Sequence, residues 1–340
     1  MPPQRATLLQ VAQRAGVSRS TASFVLTGRH QDMRISEDAR QRVLRAAQEL
    51  DYRPNLMARS LRTKVTKTIA LVSDTIAADP YAGRAIHGSL AAAIAHGHLL
   101  FIGETDGDPV VEQRLIADFL DRQVDAFIYA SMFTQYVRLP RQLRERPVVL
   151  LNCLIRGARP LHHSIIPDEL TAGLTAARTL LEAGHRQGIY VVGHADKGVF
   201  ASRERMTGIQ EELGTAGVRL AGVVDCNWWP DSAYDAVRQA LVDGLAPKAL
   251  ICVNDRVALG AYQALREGGL AIPDDVSVIS FDDSELAAWL RPQLTSIALP
   301  HYELGWRAVE TLLGPSAEPG ITRLAMPIRR RHSVAKPTVE

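Results

Sequence analysis

The sequence feature that most limits the possible folds of this chain is a pair of short amphipathic segments within residues 7–28. In the first segment, apolar residues recur at helical spacing at Leu8, Val11, Ala12 and Ala15. Gly16 can adopt the left-handed conformation that ends a helix, and Ser18 can cap a second helix. The inward-facing residues of that second segment are Ala22, Val25 and Leu26. This order predicts a helix-turn-helix, although any two short helices joined by a glycine turn would share it.

The second helix of such a motif places its amino-terminal part in the major groove of DNA. Its outward-facing residues include Arg19, Ser20 and Ser23. We therefore predict that duplex DNA is the partner of this segment. The predicted DNA contacts within the motif are Thr7, Ser18, Arg19, Ser20, Thr21, Ser23, Phe24 and Arg29.

A third amphipathic segment follows, with Ser36 as its predicted cap and apolar residues that include Val43, Ala47 and Leu50. It is broken at residues 52–55, where a proline disfavours a helical residue before it. Together these segments resemble the DNA-binding headpiece of the LacI (lactose-repressor) family in order and spacing. We predict an all-α headpiece over residues 1–54, a hinge and linker over 55–66, and an effector-binding and dimerisation core over 67–340.

The linker is too short to form a stable helix alone. In the LacI family this segment is a hinge helix that forms on DNA, and the resemblance gives three of its residues a role. It implies that Leu61 inserts between base pairs and kinks the duplex, with Ala58 against the floor of the minor groove. Asn55 is a further predicted DNA contact. The alternative is an ordinary flexible linker.

Charge is divided unevenly along the chain. Residues 1–64 hold 12 basic and 5 acidic residues, a net charge of +7, whereas the remainder carries −5. A basic headpiece on an acidic body is suited to binding phosphate groups at one end only.

Several classes of protein are disfavoured by the sequence. The amino terminus lacks the apolar run of a signal peptide, and no stretch reaches the ~20 apolar residues that cross a bilayer. Cys153, Cys226 and Cys252 are far apart in apolar settings, as reduced core residues are. We therefore expect a soluble cytoplasmic protein with no metal, no cofactor and no membrane partner.

From residue 68 onward, apolar runs alternate with amphipathic stretches. Predicted strands cover residues 69–72, 99–102, 126–129, 148–151, 189–192, 250–253 and 276–281. Predicted helices cover residues 83–96, 111–122, 170–183, 203–215, 232–242, 256–267 and 304–313. This alternation predicts parallel sheets covered on both faces, in two doubly wound halves. The segment from Gly314, including the basic residues 329–331, is expected to be an exposed tail.

Several of these pieces resemble the effector-binding core of the LacI family, which has a periplasmic-binding-protein fold. They include residues 66–72, 123–128, 181–186, 253–260 and 272–283. The resemblance implies two α/β subdomains joined by crossover strands, with a ligand cleft between them. Ligands of open α/β sheets also bind at the carboxyl ends of the strands, which indicates the same region.

Two charged residues are the main predicted effector contacts. Asp282 directly follows a strand, and by family resemblance it is a main ligand contact, with Asp283 as the alternative. Arg205 stands where the family has its ligand-contacting arginine, whose fork of donors binds oxygen atoms, although Arg203 could compete.

Further candidates follow other strands. Asn254 offers a donor and an acceptor to a polyol, whereas Asp255 is expected to cap the next helix. Trp228 matches a position that is aromatic in the purine-repressor branch, and it could stack on a sugar or base. Trp229 could serve instead, or both could be core residues.

Three more residues are assigned to the cleft or its surroundings. Tyr81 matches a family loop that touches the ligand from the amino-terminal subdomain. Asp74 and Asp168 end strand-like runs and could support the ligand contacts from behind.

Departures from the family narrow the expected ligand and operator. Val199 and Ala201 occupy positions that are polar in the purine-repressor branch, which favours a sugar or sugar derivative over a purine. Phe24 stands where the lactose repressor has an arginine, so an arginine–guanine contact is impossible there. Arg19 and Ser20 remain available for base edges, and the operator is expected to differ from the lactose one.

The favoured function is an effector-controlled transcriptional repressor of a carbohydrate-utilisation operon, acting as a homodimer on a pseudopalindromic operator. A purine-responsive or partner-controlled regulator of the same family is the alternative, and a solute-binding protein is a weaker one. An enzyme is disfavoured, because no Gly-x-Ser-x-Gly, phosphate-loop or His-Glu-x-x-His motif is present. The pair His162 and His163 lacks an obvious third metal ligand and is expected in a surface loop.

Overall fold

The computed structural model describes residues 6–52, 65–76, 83–157, 161–193, 200–315 and 319–337. The chain divides into two compact units, Met1–Thr66 and Lys67–Glu340. Some of the predicted contacts lie outside the described residues. These are Asn55, Ala58 and Leu61 of the hinge, together with Tyr81 and Val199 of the cleft.

The first unit contains three helices: α1 (Leu8–Ala15), α2 (Arg19–Leu26) and α3 (Glu37–Glu49). Gly16 has φ 64° and ends α1, because only a residue without a Cβ adopts this conformation at little cost. The Ser18 hydroxyl accepts a hydrogen bond from Thr21 N at 3.0 Å and so caps α2. Ser36 caps α3 in the same way. The predicted helix-turn-helix and third helix are confirmed.

Small apolar side chains hold the headpiece together. Its buried core consists of Val11, Ala12, Ala15, Ala22, Val25, Val43, Ala46 and Ala47. Larger side chains, including Leu8, Leu26 and Tyr52, are partly buried against this core. The outer face of α2 therefore remains available for a partner.

The second unit contains two six-stranded sheets, each with helices on its faces. The first sheet has the order β11-β5-β4-β3-β1-β2, with every pair parallel. Its strands are β1 (Thr68–Ser73), β2 (Leu99–Glu104), β3 (Ala126–Val137), β4 (Val148–Ile155), β5 (His163–Pro167) and β11 (Ile321–Leu324). Its helices are α4 (Gly83–Ala95), α5 (Pro109–Asp121) and α11 (His301–Leu313).

The second sheet has the order β12-β10-β9-β8-β6-β7, and only β12 is antiparallel to its neighbour. Its strands are β6 (Ile189–Val192), β7 (Gly222–Val224), β8 (Ala249–Cys252), β9 (Ser277–Asp282), β10 (Thr295–Ala298) and β12 (Ile328–Arg329). Its helices are α6 (Glu169–Glu182), α7 (Phe200–Thr215), α8 (Pro230–Val242), α9 (Asp255–Glu267) and the short α10 (Glu285–Trp289).

The chain passes between the two sheets three times: after β5, after β10, and between β11 and β12. The amino-terminal subdomain is therefore completed by α11 and β11 from late in the sequence. This arrangement confirms the predicted core of two doubly wound subdomains joined by crossovers. The cysteines Cys153, Cys226 and Cys252 are buried and unpaired within these cores.

Two predictions about the core were wrong. His163 is not in a surface loop but begins β5, where its Nε2 lies 2.8 Å from Thr322 Oγ1 of β11. The carboxyl-terminal segment is not a free tail, because β11 and β12 join one sheet each. Ser333 beyond them is fully buried and donates a hydrogen bond to Val278 O.

The described helices include none that is both long and apolar enough to span a bilayer. Within the same residues, no cluster of three or more histidine, cysteine or acidic side chains could hold a metal ion.

Candidate functional site

A cleft lies between the two subdomains, at the carboxyl ends of several strands. The amino-terminal subdomain lines it with Met132, Phe133, Thr134 and Asn152. The other wall is formed by Glu169, Ala201, Arg205, Trp228, Asn254, Arg256 and Asp282, with Leu299, His301 and Leu304 at the crossover. The free volume is only about 40 Å³. Typical ligand sites have roughly 300–1,000 Å³, so the cleft is nearly closed in this structure.

The centre of the cleft wall is an ion pair between Arg205 and Glu169. Arg205 Nε and Nη2 lie 2.5 and 3.0 Å from the two carboxylate oxygens of Glu169. A third donor, Nη1, binds Val253 O, and the guanidinium lies 4.5 Å from the Phe281 ring centre. The two side chains are 4% and 2% exposed. Burial alone would lower the pKa of Arg205, but the charge of Glu169 raises it above its usual value.

The pair is positioned by a close crossing of α6 and α7. A Cβ added at Gly173 would lie 2.2 Å from Arg205 O, and one added at Gly208 would lie 2.2 Å from Leu170 O. Only glycine permits this approach, which brings the first residue of α6 opposite the second turn of α7. Glu169 therefore reaches Arg205 from a different helix.

Asp282 ends β9 and projects into the cleft with φ 105°. Its carboxylate makes no hydrogen bond or ion pair with any residue that the structure describes. Burial and the nearby charge of Asp255 hold the pKa of Asp282 well above its usual range. Asp283 instead accepts a hydrogen bond from Arg331 at 2.6 Å, so it fastens the carboxyl-terminal segment. Of the two aspartates, Asp282 lines the cleft and Asp283 does not.

Asn254 lines the cleft and also takes the capping role predicted for Asp255. Asn254, not Asp255, caps α9, because its Oδ1 accepts from Val257 N at 2.7 Å. Its Nδ2 donates one of its two N–H groups to Trp228 O at 3.3 Å. The prediction that Asp255 caps the helix is wrong.

Asp255 is instead fully buried beneath the cleft. Its carboxylate accepts hydrogen bonds from the hydroxyls of Ser280, Ser284 and Ser296. Burial raises the pKa of Asp255 despite these three donors, which act in the opposite direction. The residue therefore places a buried carboxyl group behind Asp282.

The two tryptophans have different environments. Trp228 lines the cleft, and its ring meets Phe133 of the opposite subdomain edge-on at 5.3 Å between centres. Trp229 is 58% exposed and stacks beside Arg256, whose guanidinium lies 4.9 Å from its ring centre. The cleft position therefore belongs to Trp228.

The contacts of Arg203, Asp74 and Asp168 show where each of these predicted residues lies relative to the cleft. Arg203 is exposed and lies over the Phe200 ring, outside the cleft. Asp74 accepts from Met132 N at 2.8 Å, which fixes backbone that lines the cleft. Asp168 caps α6 by accepting from Thr171 N at 3.4 Å. Both aspartates support the cleft walls.

Several cleft residues were missed by the sequence analysis. Glu169 looked like an ordinary first-turn acid of a helix, and its pairing with Arg205 depends on tertiary structure. Thr134 donates to Asn152 Oδ1 at 2.5 Å, and Asn152 Nδ2 donates to Met132 O at 2.8 Å. These residues lie where β3 and β4 run beyond their predicted ends.

On the headpiece, the predicted DNA contacts divide by exposure. Thr7, Ser18, Arg19, Ser20 and Arg29 are exposed, whereas Thr21, Ser23 and Phe24 are half-buried. The Thr7 and Ser18 hydroxyls accept from backbone N–H groups as helix caps. Arg19 and Ser20 begin α2, and neither side chain caps a helix in the part of the chain that the structure describes.

Both parts of the chain are similar to known proteins. Residues 7–55 match the bacterial regulatory proteins of the lacI family, and residues 177–334 match a periplasmic binding protein-like domain. The ribose operon repressor of Haemophilus influenzae is 32% identical over 91% of both chains. A transcriptional repressor PurR of Aliivibrio fischeri (strain MJ11) is 31% identical over 91% of both.

One solved structure shares nearly the whole fold. It is the lac repressor dimer bound to operator and the anti-inducer ONPF, with a TM-score of 0.80 and 24% identity. The likeness covers 98% of this chain and 100% of the other.

Proposed function

The chain belongs to the lacI family of bacterial regulatory proteins, and from this premise we propose that it represses a carbohydrate-utilisation operon under the control of a sugar-like effector. The observation that carries the proposal is the joint presence of a helix-turn-helix and a polar interdomain cleft in one chain. We further infer that it acts in the cytoplasm by binding, not by catalysis. The named relatives, a ribose operon repressor and a PurR repressor, support this inference.

Two headpieces in a homodimer would read the two halves of a pseudopalindromic operator. Arg19 and Ser20, exposed at the start of α2, are the proposed readers of base edges. By family resemblance, Leu61 is the proposed wedge at the operator centre, with Asn55 and Ala58 beside it.

The wedge can be tested by Leu61→Ala. We expect specific operator binding to fall far more than non-specific binding, because only the kinked site uses the wedge. Fluorescence anisotropy on operator and scrambled duplexes at one salt concentration measures both. Equal losses on the two duplexes would rule the wedge out.

The charge arrangement of the cleft favours a neutral polyhydroxy effector. Glu169 already neutralises Arg205, and three of the five N–H donors of that guanidinium are used within the protein. Two donors remain for ligand oxygens. Asp282 has free acceptor capacity for hydroxyl groups, and Trp228 offers an aromatic face for a sugar ring.

An anionic ligand fits this cleft less well. A sugar acid or phosphate would bring negative charge towards Asp282 and the buried Asp255, while the opposing charge of Arg205 is already compensated. A purine remains the second candidate because of the PurR relative. Against it, Ala201 is buried at the cleft wall and offers no polar group to a base.

The effector class is tested by thermal shift of the full chain with neutral sugars, sugar acids, sugar phosphates and purines. A ligand at 100 times its Kd adds about 2.7 kcal/mol to the stability of the native state. We expect a rise of several degrees with a neutral sugar. Asp282→Asn should abolish it, while the exposed Asp121→Asn should not.

The outcomes of this screen are distinct. A shift with sugar acids or phosphates and none with neutral sugars would refute the neutral class. A shift with purines alone would favour the second candidate.

The proposed dimer surface lies on the amino-terminal subdomain. Its edge strand β2 exposes 62% of Leu99 and 44% of Ile102, and the adjacent α4 exposes 63% of Ile94 and 38% of Leu90. An apolar patch along an unpaired strand edge invites a second copy. Ile94→Glu should shift the chain towards the monomer in sedimentation velocity, and Val242→Glu on α8 should not.

A further inference from the structure

A ten-residue connection, residues 138–147, joins the parallel strands β3 and β4. Its regular structure is a single 3-10 turn, Arg141–Leu143. Leu139 and Leu143 are buried in the core of the amino-terminal subdomain and hold the connection against the sheet. Apart from Pro140, the other residues of the connection are exposed, and they include Arg138, Arg141, Arg144 and Arg146.

Two adjoining grooves follow this connection. The first has a volume of about 500 Å³ and is lined by Arg138, Arg144, Arg156 and His162 over an apolar floor that includes Leu139 and Ile155. The second, of about 360 Å³, shares Arg144 and His162 with the first and adds Arg146. Their volumes lie in the range of small-molecule sites.

Among the residues that the structure describes, no carboxylate lines either groove. Glu145, the one acidic residue of the connection, is in neither lining. Across the described ranges, the structure shows no ion pair for the arginines at 138, 141, 144, 146 and 156. By contrast, Arg178, Arg323 and Arg330 elsewhere in the core each pair with a glutamate.

This concentration of positive charge is unusual for its surroundings, because the chain beyond residue 64 carries a net charge of −5. Neighbouring guanidinium groups repel one another unless an anion lies between them. The planar fork of arginine matches phosphate oxygens in pairs. The apolar floor of the first groove can cover the organic part of such a ligand.

We propose that these grooves form a second ligand site, separate from the interdomain cleft, for a small molecule that carries more than one phosphate group. The cleft and the grooves share no lining residue. They are nevertheless connected through β3 and β4. Phe133 and Asn152 of these strands line the cleft, and Tyr136 and Ile155 line the groove three residues further along each strand.

This connection gives the second site a regulatory role. A phosphate-bearing ligand that fixes the ends of β3 and β4 also fixes the strand segments that face the effector. Effector affinity should then differ at least fivefold between the free and the phosphate-bound protein, within the range of ordinary allosteric coupling.

The site is tested by isothermal titration of the full chain with inorganic tripolyphosphate at 150 mM NaCl. Excess non-specific duplex DNA is included to occupy the basic headpieces. We expect saturable binding of one tripolyphosphate per chain. The double variant Arg144→Gln/Arg156→Gln should weaken it at least tenfold.

The matched control is Arg219→Gln/Arg266→Gln, which removes two exposed arginines from the other subdomain. It should change the affinity less than twofold. The proposal is overturned by the absence of saturable binding up to 10 mM, or by equal losses in the two double variants. Because this titration needs no effector, its result is independent of whether a sugar binds the cleft.

Discussion

Removing the carboxylate of Glu169 should destabilise the core strongly. The Glu169→Ala variant leaves the guanidinium of Arg205, only 4% exposed, without the partner that lies 2.5 and 3.0 Å from its nitrogens. Breaking a buried pair in this way costs about 3–5 kcal/mol of folding free energy, because an uncompensated charge stays in a poorly solvated site. For a core of this size we expect the unfolding midpoint to fall by roughly 6 °C or more.

The assay is thermal and urea unfolding of the full chain, followed by tryptophan fluorescence. The chain offers a matched control on the same helix, since Glu182 pairs with Arg330 at 2.6 Å but both side chains are more than half exposed. Such a solvent-exposed pair contributes about 0–1 kcal/mol. Glu182→Ala should therefore leave the midpoint almost unchanged.

The double variant Glu169→Leu/Arg205→Met distinguishes a loss of stability caused by an uncompensated charge from one caused by lost packing. It removes both charges and keeps apolar volume, so much of the stability lost in Glu169→Ala should return. The reasoning is refuted if Glu169→Ala loses no more stability than Glu182→Ala. It is also refuted if the double variant is as unstable as the single one.

Three further predictions concern other parts of the chain. The raised pKa of Asp282 makes its charged form destabilising, so Asp282→Asn should be more stable than wild type at neutral pH. That advantage should disappear as the pH falls to about 4, the ordinary pKa of aspartate, in a pH series of unfolding midpoints. Gly305→Ala should destabilise the core by about 1–3 kcal/mol in urea unfolding, because its Cβ would lie 1.9 Å from Ala85 O. Gly214→Ala has open space around the new Cβ, so in the same assay it should stabilise the core by up to about 1 kcal/mol. Ser18→Ala should cost the headpiece about 1 kcal/mol through loss of the cap, measured by hydrogen exchange of α2 amides.

The headpiece was predictable from sequence because its determinants are local. The turn at Gly16 and the caps at Ser18 and Ser36 act on residues within one helical turn. The central strands were found for a similar reason, since a strand buried on both faces is a continuous apolar run.

Strands β5, β7, β10, β11 and β12 were missed, and the last two carry weak signals. β12 has two residues, and β11 alternates exposed and half-buried positions at the edge of its sheet. The basic residues 329–331 suggested a solvated tail, yet Arg331 binds Asp283, 48 positions earlier in the chain. Nothing near Arg331 in sequence indicates that partner.

Prediction of the cleft residues from sequence is limited in the same way, because tertiary contacts decide which side chains pair. Asp282 and Trp228, both assigned by family resemblance, lie in its lining, and their contact with an effector stays a prediction. Glu169 was missed, since it lies 36 positions from Arg205 and meets it only where α6 crosses α7. The cap of α9 was assigned to Asp255 instead of Asn254, which is a one-residue error in a helix boundary.

The most direct test of the regulator proposed here is its affinity for a duplex selected from a random-sequence pool, compared with a scrambled duplex at the same salt concentration. We expect selection to enrich a pseudopalindrome that binds at least 10³-fold more tightly than the scrambled duplex. A neutral sugar identified by thermal shift should change that affinity by roughly 5- to 150-fold, and Asp282→Asn should remove the change. Equal affinity for the two duplexes, with or without a sugar, would contradict the account.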